Sequence, residues 1–380
     1  MRNLYLEKNL KQDCNGCGIC TLCCPVDAIH MIEDEEGYSY PKIDEAKCIG
    51  CNKCKKICSN FNDCEKSDEA YMAINKNKDD LTRSASGGIF YILAKYVIEH
   101  NGVVFGVEYG ENHKVQHNCY ENITDCQKFQ GSKYVRSELG NSYKRAEEFL
   151  KQDRYVLFTG TPCQCNGLKV YLGKDYEKLI ICDVICFANP SQKVFDKYLK
   201  DIEIKEYKKI EKINFRDKAN GWKNGTPIIY FEDGSRLEDN SFHKAFIAGL
   251  FDRPSCHECK FSSTNRVTDF TIGDFWGIDK VLPQVKDDNT GISVMTVNSP
   301  KAKKYLEEIK DSLELVSVDT ESGFLYNHHS NIKPHRNRKR FFKNFELMPV
   351  NENIRVCLKV GFFTKVYNKT KYTLEKIKGK

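Results

Sequence analysis

Eight cysteines in the first 58 residues carry the spacing with the most chemistry in it. Cys14, Cys17, Cys20 and Cys24 form one run, and Cys48, Cys51, Cys54 and Cys58 form a second. Each reads C-x2-C-x2-C-x3-C, and Pro25 follows the first. Three thiolates separated by two residues wrap one face of a 4Fe–4S cube, while the turn carries the fourth away to serve the other cube. Cluster one is then held by Cys14, Cys17, Cys20 and Cys58, and cluster two by Cys48, Cys51, Cys54 and Cys24. Structural zinc would instead set one C-x2-C against a distant C-x2-C. A disulfide framework suits an exported chain, and the first seven residues lack the apolar stretch of a signal peptide.

The spacing is that of a two-cluster bacterial ferredoxin, and such a module accounts for only a small part of the 380 residues. No run of 18 apolar residues occurs, so no membrane-spanning helix is expected, and the chain reads as cytoplasmic. In that compartment thiols stay reduced, and 19 cysteines argue for metal ligation. Charge is uneven. Residues 1–65 hold 8 Lys/Arg against 11 Asp/Glu, whereas residues 331–380 hold 14 against 3. A basic tail meets an acidic partner or an anionic membrane surface, and nothing resembling a nucleic-acid-binding fold accompanies it.

The elements that must position further chemistry follow a linker over residues 59–68. A strand is expected over Ala70–Ile74, then a helix opened by Ser86-Gly87-Gly88, with Ile89, Phe90, Leu93, Tyr96 and Val97 at helical spacing. Strands over Gly102–Val107, Tyr155–Phe158 and Leu179–Val184 alternate with helices over Leu139–Lys151, from Pro162, and from Pro190. Thr161-Pro162 reads as an N-cap and first helical residue. This rhythm implies a sheet covered by helices. Asp233-Gly234 between Ile228–Phe231 and Arg236–Leu237 signals a hairpin. A short helix over Phe242–Leu250 and strands over Phe270–Ile272 and Ile292–Val297 follow, and after Pro300 the chain reads as largely helical.

Four more cysteines stand at special places. Cys163 opens a helix and Cys186 follows a strand, both beyond strand C-termini, where open α/β sheets place ligands. Cys256 and Cys259 form a C-x2-C. Four thiolates converging there would hold a third 4Fe–4S cluster or a zinc ion, and Cys163 alone would serve as a nucleophile activated by the helix end. Cys165 and Cys182 lie nearby and leave the choice of four open on spacing alone.

Several motifs occur in order: Ser84-Ala85-Ser86-Gly87-Gly88-Ile89-Phe90, Gly131-Ser132-Lys133-Tyr134-Val135, Phe158-Thr159-Gly160-Thr161-Pro162-Cys163-Gln164, Ser255-Cys256-His257-Glu258-Cys259-Lys260-Phe261 and Thr271-Ile272-Gly273-Asp274-Phe275-Trp276-Gly277. Together they resemble the coenzyme F420 hydrogenase/dehydrogenase beta-subunit family over about residues 14 to 300. The resemblance implies FAD in the central part and a third cluster on Cys163, Cys186, Cys256 and Cys259. One departure is Phe187-Ala188 after Cys186, where the family often has His-Gly. The small-residue turn Ser84, Ser86, Gly87, Gly88 would cradle the flavin pyrophosphate, with Arg83 adding charge. Ser132, Lys133 and Tyr134 would form a second wall, with Arg266, Asp274 and Trp276 lining the same cleft. Lys133 is the candidate catalytic residue, stabilising negative charge on the reduced ring. The plain alternatives are a Ser/Gly helix start, a solvated loop lysine and a core tryptophan at 276.

The expected fold is α+β / α/β. A ferredoxin-like module (1–65) precedes an α/β FAD-binding part (66–210), a part holding the hairpin and the third-cluster C-x2-C (211–300), and a helical basic tail (301–380). The expected function is an iron–sulfur flavoprotein oxidoreductase. It passes electrons between a ferredoxin-type or F420-type carrier and a small organic substrate through three 4Fe–4S clusters and FAD. Some bacterial relatives resemble accessory reductases of cell-surface polysaccharide pathways. The other reading is a non-catalytic electron-transfer subunit docked to a partner enzyme. In the tail, Val356, Val360, Phe363, Tyr367 and Leu374 fall near helical spacing among lysines, which suits either packing on the chain's own core or a peripheral membrane contact.

Overall fold

The computed structural model describes residues 5–8, 10–59, 67, 69–327 and 330–359. The cysteine runs flank an antiparallel hairpin, β1 (Ile29–Glu33) and β2 (Ser39–Ile43), which turns through the acidic residues 34–36. Beyond it stands an eight-stranded mixed sheet built from β3 (Glu69–Asn75), β4 (Val103–Tyr109), β5 (Val115–Tyr120), β6 (Val156–Gly160) and β7 (Leu179–Val184). A separate three-stranded antiparallel sheet contains β8 (Ile210–Asp217), β9 (Thr226–Phe231) and β10 (Arg236–Glu238). The large sheet is completed by β11 (Phe270–Asp274), β12 (Ser293–Val297) and β13 (Leu313–Val318). Its order is β13-β3-β12-β11-β7-β6-β4-β5.

Strands β11, β7, β6 and β4 pair in parallel. β3 runs the same way, because two antiparallel pairings through β12 separate it from β11. Alternation along the strands explains why both faces are covered. Val103, Phe105, Val156, Phe158, Leu179 and Ile181 pack under the Ser142–Lys151 and Pro162–Leu172 helices. The intervening Val104, Leu157, Ile180 and Cys182 pack on the opposite face, under the Ile89–Glu99 and Pro300–Ile309 helices. Such two-sided burial requires near-continuous apolar strands, which is what these segments contain. Phe195, Phe215, Phe242 and Phe251 anchor a further core around the smaller sheet.

Two regions differ from the sequence expectation. The stretch after Pro300 is not simply helical: Leu313–Val318 is a strand pairing antiparallel with β3 at the sheet edge. Its mixed burial, with polar Glu314 and Ser317, weakens the periodic signal. Strand β5 was also absent from the expectation, since Gln116, His117 and Asn118 sit within it. In the tail, the helix Val350–Leu358 contains Val356, whereas Val360, Phe363, Tyr367 and Leu374 lie outside the described residues.

Candidate functional site

Three sets of thiols are brought together. Cys14, Cys17, Cys20 and Cys58 all line one small cavity of about 20 Å³. Cys17 and Cys20 are buried, and burial pushes the Cys17 thiol up to about 12, with Cys14 and Cys58 adding to the rise. Burial likewise raises Cys20, with Cys17, Cys14, Cys58 and Cys23 close enough to contribute. The second set is solvent-facing: Cys48 and Cys51 are exposed. Burial raises the Cys54 thiol, and neighbouring Cys51 and Cys24 add to it. The extra cysteine, Cys23, donates to the Cys20 carbonyl at 3.3 Å.

Cys163, Cys186, Cys256 and Cys259, the third set, surround a cavity of about 50 Å³. Cys163 is placed by a capped helix N-terminus, in which Thr161 is the N-cap, its N–H donates to Gln164 Oε1 at 3.2 Å, and Pro162 opens the first turn. Cys186 follows β7, whose neighbour β6 leads to Cys163. Burial pushes the Cys256 thiol up to about 12 and raises Cys186 and Cys259, with the facing thiols of the set contributing. Asn189 points its amide at Cys186 Sγ (3.8 Å) and Cys256 Sγ (4.0 Å). Among the described residues, no group of three or more His, Cys, Asp or Glu is gathered as ligands of one metal ion. Thiolates of an iron–sulfur cube end on separate irons and stand around a void, so these donor sets suit cubes. Buried thiols resist ionisation in apolar surroundings, and ligation to iron is one way they become thiolates.

Beside the third thiol set lies a cavity of about 700 Å³ at the C-terminal ends of the parallel strands, in the size range of cofactor sites. Residues 186–189 line both cavities, so one stretch of chain separates the four thiols from the larger space. Ser84, Ser86, Gly88, Ser132, Lys133, Tyr134 and Asp274 all line the larger cavity. Gly88 is left-handed (φ 80°) and opens the Ile89–Glu99 helix with no side-chain cap. The helix end therefore keeps N–H donors available to an anion. Gln130 Oε1, on the same wall, is buried without a partner. The free N–H donors suit an anion such as a pyrophosphate, and Gln130 Oε1 would accept from a hydroxyl or N–H elsewhere on the same ligand.

Three expected cofactor residues sit elsewhere. Gly87 lies behind the wall, where an added Cβ would come within 2.4 Å of the Ala73 carbonyl. Arg83 pairs with Asp80 at 2.6 Å and does not line the cavity, because that buried carboxylate also holds Lys95. Arg266 is 3% exposed, donates to Phe261 O at 3.1 Å and lies over the Phe324 ring, bracing the chain just after Cys259. Lys133 is committed to its own loop, donating to Gln130 O (2.9 Å) and Lys128 O (3.0 Å). Removal of water around it pushes its pKa down to about 7.

Residues outside the motifs complete the site. Arg216 lies over Trp276, which stacks on Trp222, and it pairs with Asp274 at 3.4 Å. Lys218 donates to Thr290 O, Leu81 O and Ser86 O, tying the 84–88 turn to its neighbours. Arg136 and Arg253 join the N-terminal module to the third thiol set. Arg136 Nη2 donates to Gly16 O at 2.8 Å while Nη1 lies 3.9 Å from Cys163 Sγ. Arg253 Nε donates to Cys14 O at 2.9 Å, and its carbonyl accepts from Cys256 N. The available sequence signal was proximity: Arg136 comes three residues after Lys133, directly after its motif, and Arg253 precedes Cys256 by three.

Comparison with known proteins matches residues 153–321, which contain all four thiols of the third set, to the family model for the C terminus of the coenzyme F420 hydrogenase/dehydrogenase beta subunit. The matched part of the chain is similar to the C-terminal region of the coenzyme F420 hydrogenase/dehydrogenase beta-subunit family. The F subunit of the F(420)H(2) dehydrogenase from Methanosarcina mazei is 23% identical over 317 residues, covering 80% of this chain and 84% of that protein. A 52-residue stretch is 41% identical to the B subunit of the Na(+)-translocating ferredoxin:NAD(+) oxidoreductase complex from Acetobacterium woodii, covering 14% of each chain. Among solved structures, a chain of the F420-reducing NiFe hydrogenase complex from Methanosarcina barkeri aligns with a TM-score of 0.47 at 17% identity, over 77% of this chain and 92% of that one. Among the described residues, no helix is long and apolar enough to cross a membrane.

Proposed function

We propose that the protein is an iron–sulfur flavoprotein oxidoreductase that moves electrons between a one-electron carrier and an organic substrate. The shared wall at residues 186–189, with four thiols on one side and the large cavity on the other, carries this reading. When bound, three 4Fe–4S clusters supply single-electron transfer, and FAD converts it to two-electron chemistry. The chain's own residues have distinct roles. Cys14, Cys17, Cys20 and Cys58 hold cluster one against the larger domain; Cys24, Cys48, Cys51 and Cys54 hold cluster two toward solvent, where a ferredoxin-type carrier docks. Cys163, Cys186, Cys256 and Cys259 hold the third. Gly88 and the Ser84–Ser86 turn bind the pyrophosphate, Lys133 favours negative charge on the ring, and Tyr134, stacked on His243 and Phe246, closes one wall.

Anaerobic purification with iron, sulfide and flavin quantitation tests the reading. About twelve irons and one FAD per chain are expected for three four-iron clusters. About eight irons accompanied by zinc would remove the third cluster from the proposal. The Methanosarcina mazei relative is one subunit of a dehydrogenase, which favours a second reading, an electron-transfer subunit that works only when docked to another protein. Reoxidation by substrate of the isolated, reduced chain supports the first reading, and reoxidation only with a partner supports the second.

A further inference from the structure

The contacts between the N-terminal module and the larger domain include two arginines that make no carboxylate ion pair among the described residues. Arg253 is 1% exposed, and no carboxylate lies within ion-pair distance of it or of Arg136 among the described residues. Burying a guanidinium is costly even when carbonyls accept its hydrogen bonds, so a negative group beside it is favoured. Besides Cys14 O, Arg253 donates to Ser39 O at 2.9 Å, and its Nη2 lies 3.7 Å from Cys14 Sγ. Its guanidinium lies over Tyr40, 4.5 Å from the ring centroid. Arg136 reaches both sides of the junction, touching Gly16 O and Cys163 Sγ. Each arginine is thus within hydrogen-bonding range of a thiol already assigned to an iron–sulfur site.

We propose that Arg136 and Arg253 are positioning residues that compensate the negative charge of cluster one and the third cluster and set their reduction potentials. This rests on the reading of the cysteine sets as cluster ligands. A cluster held by thiolates becomes more negative by one unit when it takes an electron. A fixed cation and N–H donors beside its sulfurs favour that reduced state, and so raise the potential. Arg253 acts on cluster one through Cys14. Arg136 acts chiefly on the third cluster through Cys163, while its bond to Gly16 O fixes the spacing of the two sites. The neutral alternative is that both arginines only tie loops together through carbonyl bonds, which a glutamine partly reproduces.

Redox titration followed by electron paramagnetic resonance, on the full-length protein purified anaerobically, separates these roles. Arg136→Gln is expected to lower the midpoint of the third cluster more than that of cluster one. Arg253→Gln is expected to do the reverse, and Arg136→Lys to restore most of the Arg136→Gln shift. Loss of the third cluster in Arg136→Gln with retention in Arg136→Lys would also support charge compensation. Unchanged midpoints in fully loaded variants, or equal loss of the cluster in Arg136→Gln and Arg136→Lys, would overturn it. A wild-type chain purified with iron-free cysteine sets would overturn the cluster reading beneath it, a result distinguishable by the wild-type iron content.

Discussion

The two halves of the N-terminal module repeat one backbone in opposite surroundings. Cys14-Asn15-Gly16-Cys17-Gly18-Ile19-Cys20 and Cys48-Ile49-Gly50-Cys51-Asn52-Lys53-Cys54 place left-handed residues at the same offsets: Gly16 (φ 70°) against Gly50 (φ 69°), and Gly18 (φ 75°) against Asn52 (φ 56°). Their environments diverge. Ile19 is 1% exposed and joins the core under the large sheet, whereas Lys53, its counterpart, faces solvent. Gly16 lies against the Arg253 guanidinium, while a Cβ on Gly50 would meet nothing within 4 Å. The thiol spacing is thus fixed by what a cube needs, and the residues between the thiols decide which set faces inward. One half is a buried junction; the other faces solvent and, under the proposed function, would be the port.

Ligand substitution should break the comparison most strongly. If the proposed three clusters are present, Cys186→Ser should cost about four of the roughly twelve irons they would hold, since it removes one of four thiolate ligands. It should also leave flavin unreduced when electrons are supplied at the module, as measured anaerobically by absorbance. Cys48→Ser should cost about the same iron but act only on the outer side. Small reductants that reach the inner clusters should still bleach the flavin, whereas a protein donor should not. Equal behaviour of the two variants toward a small reductant would remove the distinction between junction and port.

Gly16→Ala and Gly50→Ala sharpen the same contrast through stability. Each forces a side chain into the left-handed region, at a cost of about 1 kcal/mol. Only Gly16→Ala also sets its Cβ 3.0 Å from three atoms of a guanidinium pinned by Cys14 O and Ser39 O. Overpacking there should add about 1–3 kcal/mol. The anaerobic thermal midpoint should fall further for Gly16→Ala than for Gly50→Ala, and equal midpoints would show that the junction is not tightly packed.

The ion pair at the junction's rim should matter less. Arg338 holds Glu36 with both guanidinium nitrogens, at 2.7 and 2.5 Å, linking the acidic hairpin turn to the basic C-terminal part. Both side chains are mostly buried, so Glu36→Gln should cost about 1–2 kcal/mol, more than an exposed pair and less than a ligand change. Denaturant unfolding of the reduced holoprotein would measure it, and a change near zero would place the pair among ordinary surface bridges.

What the sequence revealed, and what it hid, follows the same division. Thiolate spacing is local chemistry written in consecutive residues, so Cys14 to Cys58 were legible at once. The parallel strands were legible because two-sided burial demands apolar runs such as Leu179–Val184. Arg136 and Arg253 were not, because their meaning depends on a docking between segments more than 100 residues apart, which no periodicity records. Strand β13 was hidden for a related reason. It is an edge strand with one partner, and Glu314 and Ser317 interrupt the apolar pattern. Arg83 and Arg266 drew attention through motif adjacency, yet Asp80 and Phe261 hold them away from the cavity.

The smallest expected effect concerns the port. Ile49 is 65% exposed beside the exposed Cys48 and Cys51, and Lys53 and Lys56 face solvent on the same helix and loop. An apolar tip with basic residues around it suits an acidic one-electron carrier, and steering by a few charges changes association rates more than affinity. Lys53→Glu should therefore slow reduction by an acidic ferredoxin a few-fold at low salt and converge with wild type as the Debye length shrinks to about 3 Å near 1 M salt. Stopped-flow absorbance across an ionic-strength series would measure it. The inner clusters should titrate unchanged, since Lys53 lies on the outer half. A rate that ignores both the charge reversal and the salt would move the docking face away from Cys48 and Cys51, and with it the claim that the outward half of the module is where electrons arrive.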